Sequence, residues 1–150
     1  AGGAARAVAF AVADRFRPAR ISFADLDQEK AQGLAAALQR ETGVPAATLP
    51  PGSPELAAAV AACSLCINTT PLGMHGKGNP LPAGAFRPGI VYFDIVYTPP
   101  RTPFLQAAEA AGGRTVTGDR MFLHQAAAQF ALWTGQAAPL DVFSRVLAGG

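Results

Sequence analysis

The sequence predicts an α/β fold, doubly wound around a mostly parallel sheet, and three observations carry that expectation. Short runs rich in β-branched and aromatic residues alternate with alanine- and leucine-rich runs at helical spacing. The helical runs reach about ten residues or more, the length a parallel crossover needs. Turn residues punctuate the alternation, with Gly 16 and Pro 13 among 150 residues.

Residues 3–16 place Val8, Val12 and Phe16 at helical spacing among alanines, and Pro18 stops the run. "ISFAD" (21–25) is a short strand ending in acidic residues, followed by "QEKAQGLAAALQRE", a helix closed by Gly43. "PAATL" is a weak strand and "PPGSP" a turn. Ser53 is the expected N-cap and Pro54 the first residue of the helix "PELAAAVAAC", because the serine oxygen can accept from a free N–H group and proline lacks one at a position where none is needed. "SLCINT" is expected as a buried strand, "TPLGMHGKGNPLPAGAFRPG" as a long loop, and "IVYFDIVY" as the most apolar strand of the chain. Thr102 and Pro103 then open a helix to about Ala111, "RTVTG" is the next strand, "DRMFLHQAAAQFALWTG" a long helix capped by Gly135, and Pro139 starts a last helix. Ligands of such sheets bind beyond the carboxyl ends of the strands. Chemistry is therefore expected near residues 1–5, 25–30, 68–80, 96–102 and 118–125.

The length predicts one domain with one core. Half of the residues are hydrophobic and 15% are charged, which excludes a disordered chain. The formal net charge is +2, with lysines and arginines scattered, so the basic footprint of a nucleic-acid binder is missing. No apolar run approaches the roughly 18 residues of a membrane span, and the first residues lack the order of a signal peptide. These features predict a cytoplasmic protein with a small-molecule partner, no nucleic acid and no membrane; a homodimer is left open. Cys63 and Cys66 form a C-x-x-C at a helix end with no second pair, and read as small core residues rather than as a redox pair or a zinc site. No G-x-S-x-G is present, and no spacing of His and Cys suits a metal.

The stretch "AGGAARAVAF" carries the first functional signal. A dinucleotide fingerprint reads G-x-G-x-x-G/A, its second glycine letting the backbone approach a pyrophosphate at a helix N-terminus. With Gly2 as that second glycine, the third position falls on Ala5 and the first lies before Ala1. A plain turn ahead of an alanine-rich helix is the alternative. The acidic partner of the fingerprint belongs about 20 residues on, at the end of the next strand. Asp25 lies 23 residues after Gly2 and ends "ISFAD". A carboxylate there would accept from the adenosine ribose and repel a 2′-phosphate, and Leu26 offers no cation to attract one. Asp25 and Asp27 could instead cap the following helix, a role expected of Asp27.

"CINTTPLGMHGKGNPLP", "VYFDIVYTPPRTPFLQAAEAAGGRTVTGDRMFLHQAAAQFALWTG" and "AGGAAR" contain N-x-T-P-x-G-M, D-x-x-Y-x-P-x-x-T-P-x-L and G-x-x-M-x-x-x-Q-A in that order. On these motifs the chain resembles the C-terminal, nucleotide-binding domain of shikimate and quinate dehydrogenases over nearly its whole length. The resemblance implies a Rossmann-like domain spanning 1–150 and a reversible hydride transfer between NAD(P) and a ring hydroxyl or ketone of shikimate, quinate or a close analogue. It further implies that Gly2, Gly3 and Ala4 hold the pyrophosphate, Asn68 and Thr69 line the cofactor groove, Ile95 and Gly118 flank the nicotinamide, and Met121 packs near its ring. Ala1, Asp25, Leu26 and Lys30 complete the cofactor-contacting set, while Tyr97 and Gln125 reach the substrate. A glutamine on a helix face can give two donors and an acceptor to vicinal hydroxyls, and a tyrosine one hydroxyl. Met121 reads equally as plain core, and His124 as a surface or packing residue.

Two departures from the family pattern matter. NADP-dependent members carry N-R-T where this chain has Asp25, Leu26 and Asp27, which points to NAD and to the quinate/shikimate subgroup. The family's substrate domain, with the Lys and Asp that handle the hydroxyl proton, precedes this region, so no catalytic residue is assigned in this chain. The expectation is a piece beginning inside its own phosphate loop, without the first strand of its sheet, poorly stable and inactive alone. A non-catalytic NAD-binding or sensing module is the competing reading, and substrate-facing Tyr97 and Gln125 count against it.

Overall fold

The computed structural model describes residues 1–149. The helices are α1 (Gly3–Phe16), α2 (Gln28–Thr42), α3 (Pro54–Ala62), α4 (Pro103–Ala110), α5 (Gly118–Thr134) and α6 (Leu140–Gly149). The strands are β1 (Ile21–Phe23), β2 (Ala46–Thr48), β3 (Leu65–Asn68), β4 (Val91–Asp94) and β5 (Arg114–Val116). They form two parallel sheets, β1-β2 and β3-β4-β5, so the α/β class and the alternation are as expected. None of the described helices is long and apolar enough to cross a membrane.

Local chemistry accounts for the helix limits. Ser53 Oγ accepts from Leu56 N at 3.1 Å and Thr102 Oγ1 from Leu105 N at 3.3 Å, each followed by a proline in the first turn. Asp27 caps α2 through a 3.1 Å bond from Lys30 N. Gly43 (φ 73°) and Gly135 (φ 67°) end α2 and α5 in the left-handed region, where a Cβ would be strained.

The chain divides into two compact units, Ala1–Cys63 and the remainder from Ser64 on. In the first, Ala9 and Ala13 of α1 and Leu38 of α2 bury against Val44, with Phe10, Ile21, Phe23 and Ala46 packed around them. Alanines on the facing side of α1 let the helices approach closely. In the second, Phe86, Tyr92 and Phe104 form an aromatic cluster with ring centroids 5.3–5.7 Å apart. The Tyr92 hydroxyl accepts from Arg87 N at 2.8 Å, so its polar end is satisfied within this core.

Strand ends depart from expectation in an instructive way. "IVYFDIVY" reads as a strand through Tyr97, yet β4 stops at Asp94 because Asp94 Oδ1 accepts from Val96 N at 3.0 Å, diverting an N–H that a ladder would use. The same i to i+2 turn ends β3, where Asn68 Oδ1 accepts from Thr70 N at 3.0 Å, and follows β1, where Asp25 Oδ1 accepts from Asp27 N at 2.9 Å. β3 is also less buried than expected. Leu65, Cys66 and Ile67 are half-buried and only Asn68 is buried, β4 being its one strand neighbour among the described residues. Cys63 is likewise half-buried, at the end of α3.

Candidate functional site

The sequence-predicted residues gather at the carboxyl ends of strands and at helix N-termini, in one cluster within each unit. In the first unit Gly2 is the N-cap of α1 and provides no side-chain cap, and the first turn has no acidic residue. The first N–H groups of α1 are therefore without a side-chain acceptor, and Gly2, Gly3 and Ala4 are exposed. A Cβ on Gly2 or Gly3 would meet nothing within 4 Å. Helix ends of this kind attract anions. Ala1 N lies against the Asp25 side chain, beyond the end of β1, so the glycine turn and the acidic residue are neighbours.

Leu26 stands 92% exposed, so it packs on nothing, and it places no cation beside Asp25. Lys30 Nζ lies 2.7 Å from Asp27 Oδ2 on the exposed side of α2. That hydrogen bond, joined by the bond from the Lys30 backbone N–H, holds the Asp27 carboxyl below its ordinary value, and the side-chain bond with the Asp27 charge raises the Lys30 ammonium above its own. Both shifts favour the charged pair. It is lost only when pH falls through the lowered Asp27 value or rises through the raised Lys30 value.

The second unit centres on Asn68 and Asp94, which are register partners on β3 and β4 and are both buried. Asn68 Nδ2 donates to Asp94 Oδ1 at 3.0 Å and to Leu72 O at 2.9 Å, while its Oδ1 accepts from the Thr70 amide and from the Thr70 hydroxyl at 2.7 Å. Every hydrogen-bonding position of the Asn68 amide is thus used inside the protein. Asp94 Oδ2 accepts from Thr102 Oγ1 at 2.6 Å. Gly73, at φ 102°, sits against this pair: a Cβ there would lie 3.2 Å from Thr102 Cβ. Thr69 and Ile95, on the loops this network ties down, are half-buried.

α5 supplies the remaining face. Gly118 is buried at its start, where a Cβ would lie 2.5 Å from Ile95 O and 2.7 Å from Val96 O, so the helix begins against the backbone that leaves β4. Tyr97, on the loop with the cis Thr98–Pro99 peptide, stacks on Phe122 at a centroid separation of 4.7 Å and an interplanar angle of 18°. Phe122 and Gln125 stand three residues apart on α5, which brings Tyr97 and exposed Gln125 to one side of the helix. Met121 is half-buried one turn before Gln125, and His124 is exposed. Asp119, in the first turn, has an Oδ1 that is buried with no hydrogen-bond partner among the described residues. Among those residues no group of three or more His, Cys, Asp or Glu side chains could hold a metal ion.

Sequence reasoning missed Asp94 as a site residue and saw Thr102 only as a helix cap. Two signals were available: Asp94 and Thr102 are both fixed positions of D-x-x-Y-x-P-x-x-T-P-x-L, and Asp94 is a lone aspartate in the most apolar strand, a residue type almost never fully buried without partners. It also missed Phe122, whose stacking on Tyr97 periodicity alone does not reveal.

Comparison with known proteins adds independent findings. Residues 120–147 match the family model described as Shikimate 5'-dehydrogenase C-terminal domain. A curated relative from Moorella thermoacetica, "Shikimate dehydrogenase (NADP(+))", is 44% identical over 98% of this chain and 50% of its own length. A quinate dehydrogenase from Corynebacterium glutamicum in complex with NAD superposes with a TM-score of 0.90 at 30% identity, covering 100% of this chain and 53% of that one. A shikimate 5-dehydrogenase from Listeria monocytogenes in complex with shikimate and NAD gives a TM-score of 0.87 at 30% identity, over 98% of this chain and 53% of that one. The chain spans about half the length of the curated relatives it matches.

Proposed function

The chain belongs to the shikimate dehydrogenase family, and we propose that it is the cofactor-binding part of an enzyme that transfers a hydride reversibly between NAD and a ring hydroxyl or ketone of shikimate, quinate or a close analogue. The observation that carries this reading is the glycine turn that opens α1 without a side-chain cap, with the Asp25 side chain next to it beyond the end of β1. Free N–H groups suit a pyrophosphate, and an adjacent carboxylate suits ribose hydroxyls. When bound, the nicotinamide ring supplies the donor or acceptor of the hydride.

In this reading Ala1, Gly2, Gly3 and Ala4 hold the pyrophosphate, and Asp25 accepts from the ribose and disfavours a 2′-phosphate. Leu26 leaves that side without a cation, and Lys30 is engaged by Asp27. Thr69, Ile95, Gly118 and Met121 receive the nicotinamide end. Asn68, its amide saturated, acts through the loop it holds. Tyr97 and Gln125 address the substrate; their exposure on one side of α5 favours an enzyme over a non-catalytic sensing module. The substrate's hydroxyl proton is assigned to no residue of this chain.

Calorimetric titration of the chain with NAD and with NADP tests the reading. Binding of NAD, tighter than that of NADP, is expected. Binding of neither, by the chain joined behind a relative's substrate domain and glycine-ended first strand, would overturn the cofactor role, and tighter NADP binding would overturn the preference alone. Two further outcomes are expected from the same titration. Asp27→Asn releases Lys30 toward a 2′-phosphate and should improve NADP affinity by about two- to fivefold, the scale of an exposed charge interaction, with NAD unaffected. Tyr97→Phe and Gln125→Ala should leave NAD affinity within about twofold, since this reading gives both to the substrate; a loss near tenfold would place them on the cofactor instead.

A further inference from the structure

We propose that Asp94 is a positioning residue, whose buried carboxylate locks together the two loops that carry Thr69 and Ile95 to Tyr97. The proposal rests on the cofactor reading above and gives a role to Asp94, which opens the motif D-x-x-Y-x-P-x-x-T-P-x-L and which the resemblance left without one. Asp94 is 0% exposed, and both its oxygens act as acceptors for groups on three separate segments. Asn68 Nδ2 comes from β3, Val96 N from the loop after β4, and Thr102 Oγ1 from the start of α4. Through Asn68 the hold extends to the carbonyl of Leu72 and to both donors of Thr70, which spans the loop after β3.

Packing alone does not call for this arrangement. An apolar side chain would fill the same space without the desolvation that a buried carboxylate carries, and such a group is retained only with its partners in place. Its geometric effect is specific: Thr69 follows Asn68 directly, Ile95 follows Asp94 directly, and Tyr97 lies within the span that Asp94 and Thr102 close. Gly73, on the first loop, leaves no room for a Cβ beside Thr102, so the first loop runs close to the start of α4. The adenosine-side residues Gly2, Gly3 and Asp25 belong to the other unit and have no part in the network.

The clamp is tested with Asp94→Asn, which keeps the size and the α4 cap but cannot accept from Thr102 at the amide nitrogen. Thr102→Val removes the donor at constant shape, and Thr102→Ser restores it. Binding of NAD and of ADP-ribose to the chain is measured for each, together with amide hydrogen exchange. Asp94→Asn and Thr102→Val are expected to weaken NAD about tenfold while ADP-ribose stays within about twofold, because only the nicotinamide end depends on these loops. Exchange at Thr70 and Val96 should accelerate by about tenfold relative to that at Leu38 in the other unit, and Thr102→Ser should return both readouts to the wild-type values. Equal loss of NAD and ADP-ribose, or unchanged exchange at Thr70 and Val96 in both variants, would overturn the clamp. If the wild-type chain, joined behind the same substrate domain and first strand, binds neither nucleotide the cofactor reading falls, and the exchange measurement alone then decides whether Asp94 holds the loops.

Discussion

Replacing Asp25 with Asn and Leu26 with Arg is expected to raise NADP affinity by about 10- to 100-fold relative to NAD. On the proposed reading the carboxylate beyond β1 and a 2′-phosphate would be like charges at close quarters, and Asn would remove the repulsion while keeping the acceptor that ends the turn through Asp27 N. Arginine at position 26 enters free of packing constraint, since Leu26 is solvent-facing. A charge-assisted guanidinium–phosphate bond contributes about 1.5–3 kcal/mol, which sets the expected ratio. Competitive titration of both nucleotides on the double variant and the wild-type chain checks it. The relatives make the test sharp: the Moorella protein is named for NADP(+), whereas the Corynebacterium and Listeria structures hold NAD. A wild-type preference for NADP, or no movement of the ratio in the double variant, would show that this corner does not select the cofactor.

Gly118→Ala should destabilise the second unit, even though alanine is the better helix former. Intrinsic propensity favours the substitution by about 1 kcal/mol. Against it stands a Cβ placed 2.5 Å from Ile95 O and 2.6 Å from Ile95 C, both backbone atoms that no rotamer change can move aside. Overpacking of this kind costs about 1–3 kcal/mol or more, so the clash prevails and α5 must shift from the end of β4. Urea unfolding of wild type and variant should show a lower midpoint for the variant, and NAD affinity should fall with it. Gly33, in α2, has nothing within 4 Å of the corresponding Cβ, so Gly33→Ala serves as the control and should stabilise slightly. A Gly118→Ala variant as stable as that control would mean that the start of α5 accommodates a side chain.

Helix limits were legible in the sequence because their causes are local. Ser53 with Pro54, Thr102 with Pro103, Asp27, Gly43 and Gly135 each act on backbone groups within a few residues, and each stands where expected. The glycine turn and Asp25 were legible for a similar reason, since a strand and a helix of ordinary length separate them by a characteristic interval. Asp94 and Phe122 were not. A carboxylate in "VYFDIVY" can as easily face solvent, and only the parallel register of β3 with β4 puts Asn68 beside it.

By itself the sequence determined the α/β class, the order of elements, the parallel sense of the pairing and the family, all of which follow from short-range periodicity, capping and motif spacing. The tertiary structure decided which glycine is obligatory and which polar groups are consumed internally. Those outcomes depend on contacts between residues far apart in the chain: Asn68 with Asp94, Asp94 with Thr102, Gly118 with the Ile95 carbonyl. A side chain's chemistry states what it can bond to. Whether a partner stands within 3 Å is set by how strands align and helices abut, which no local pattern encodes.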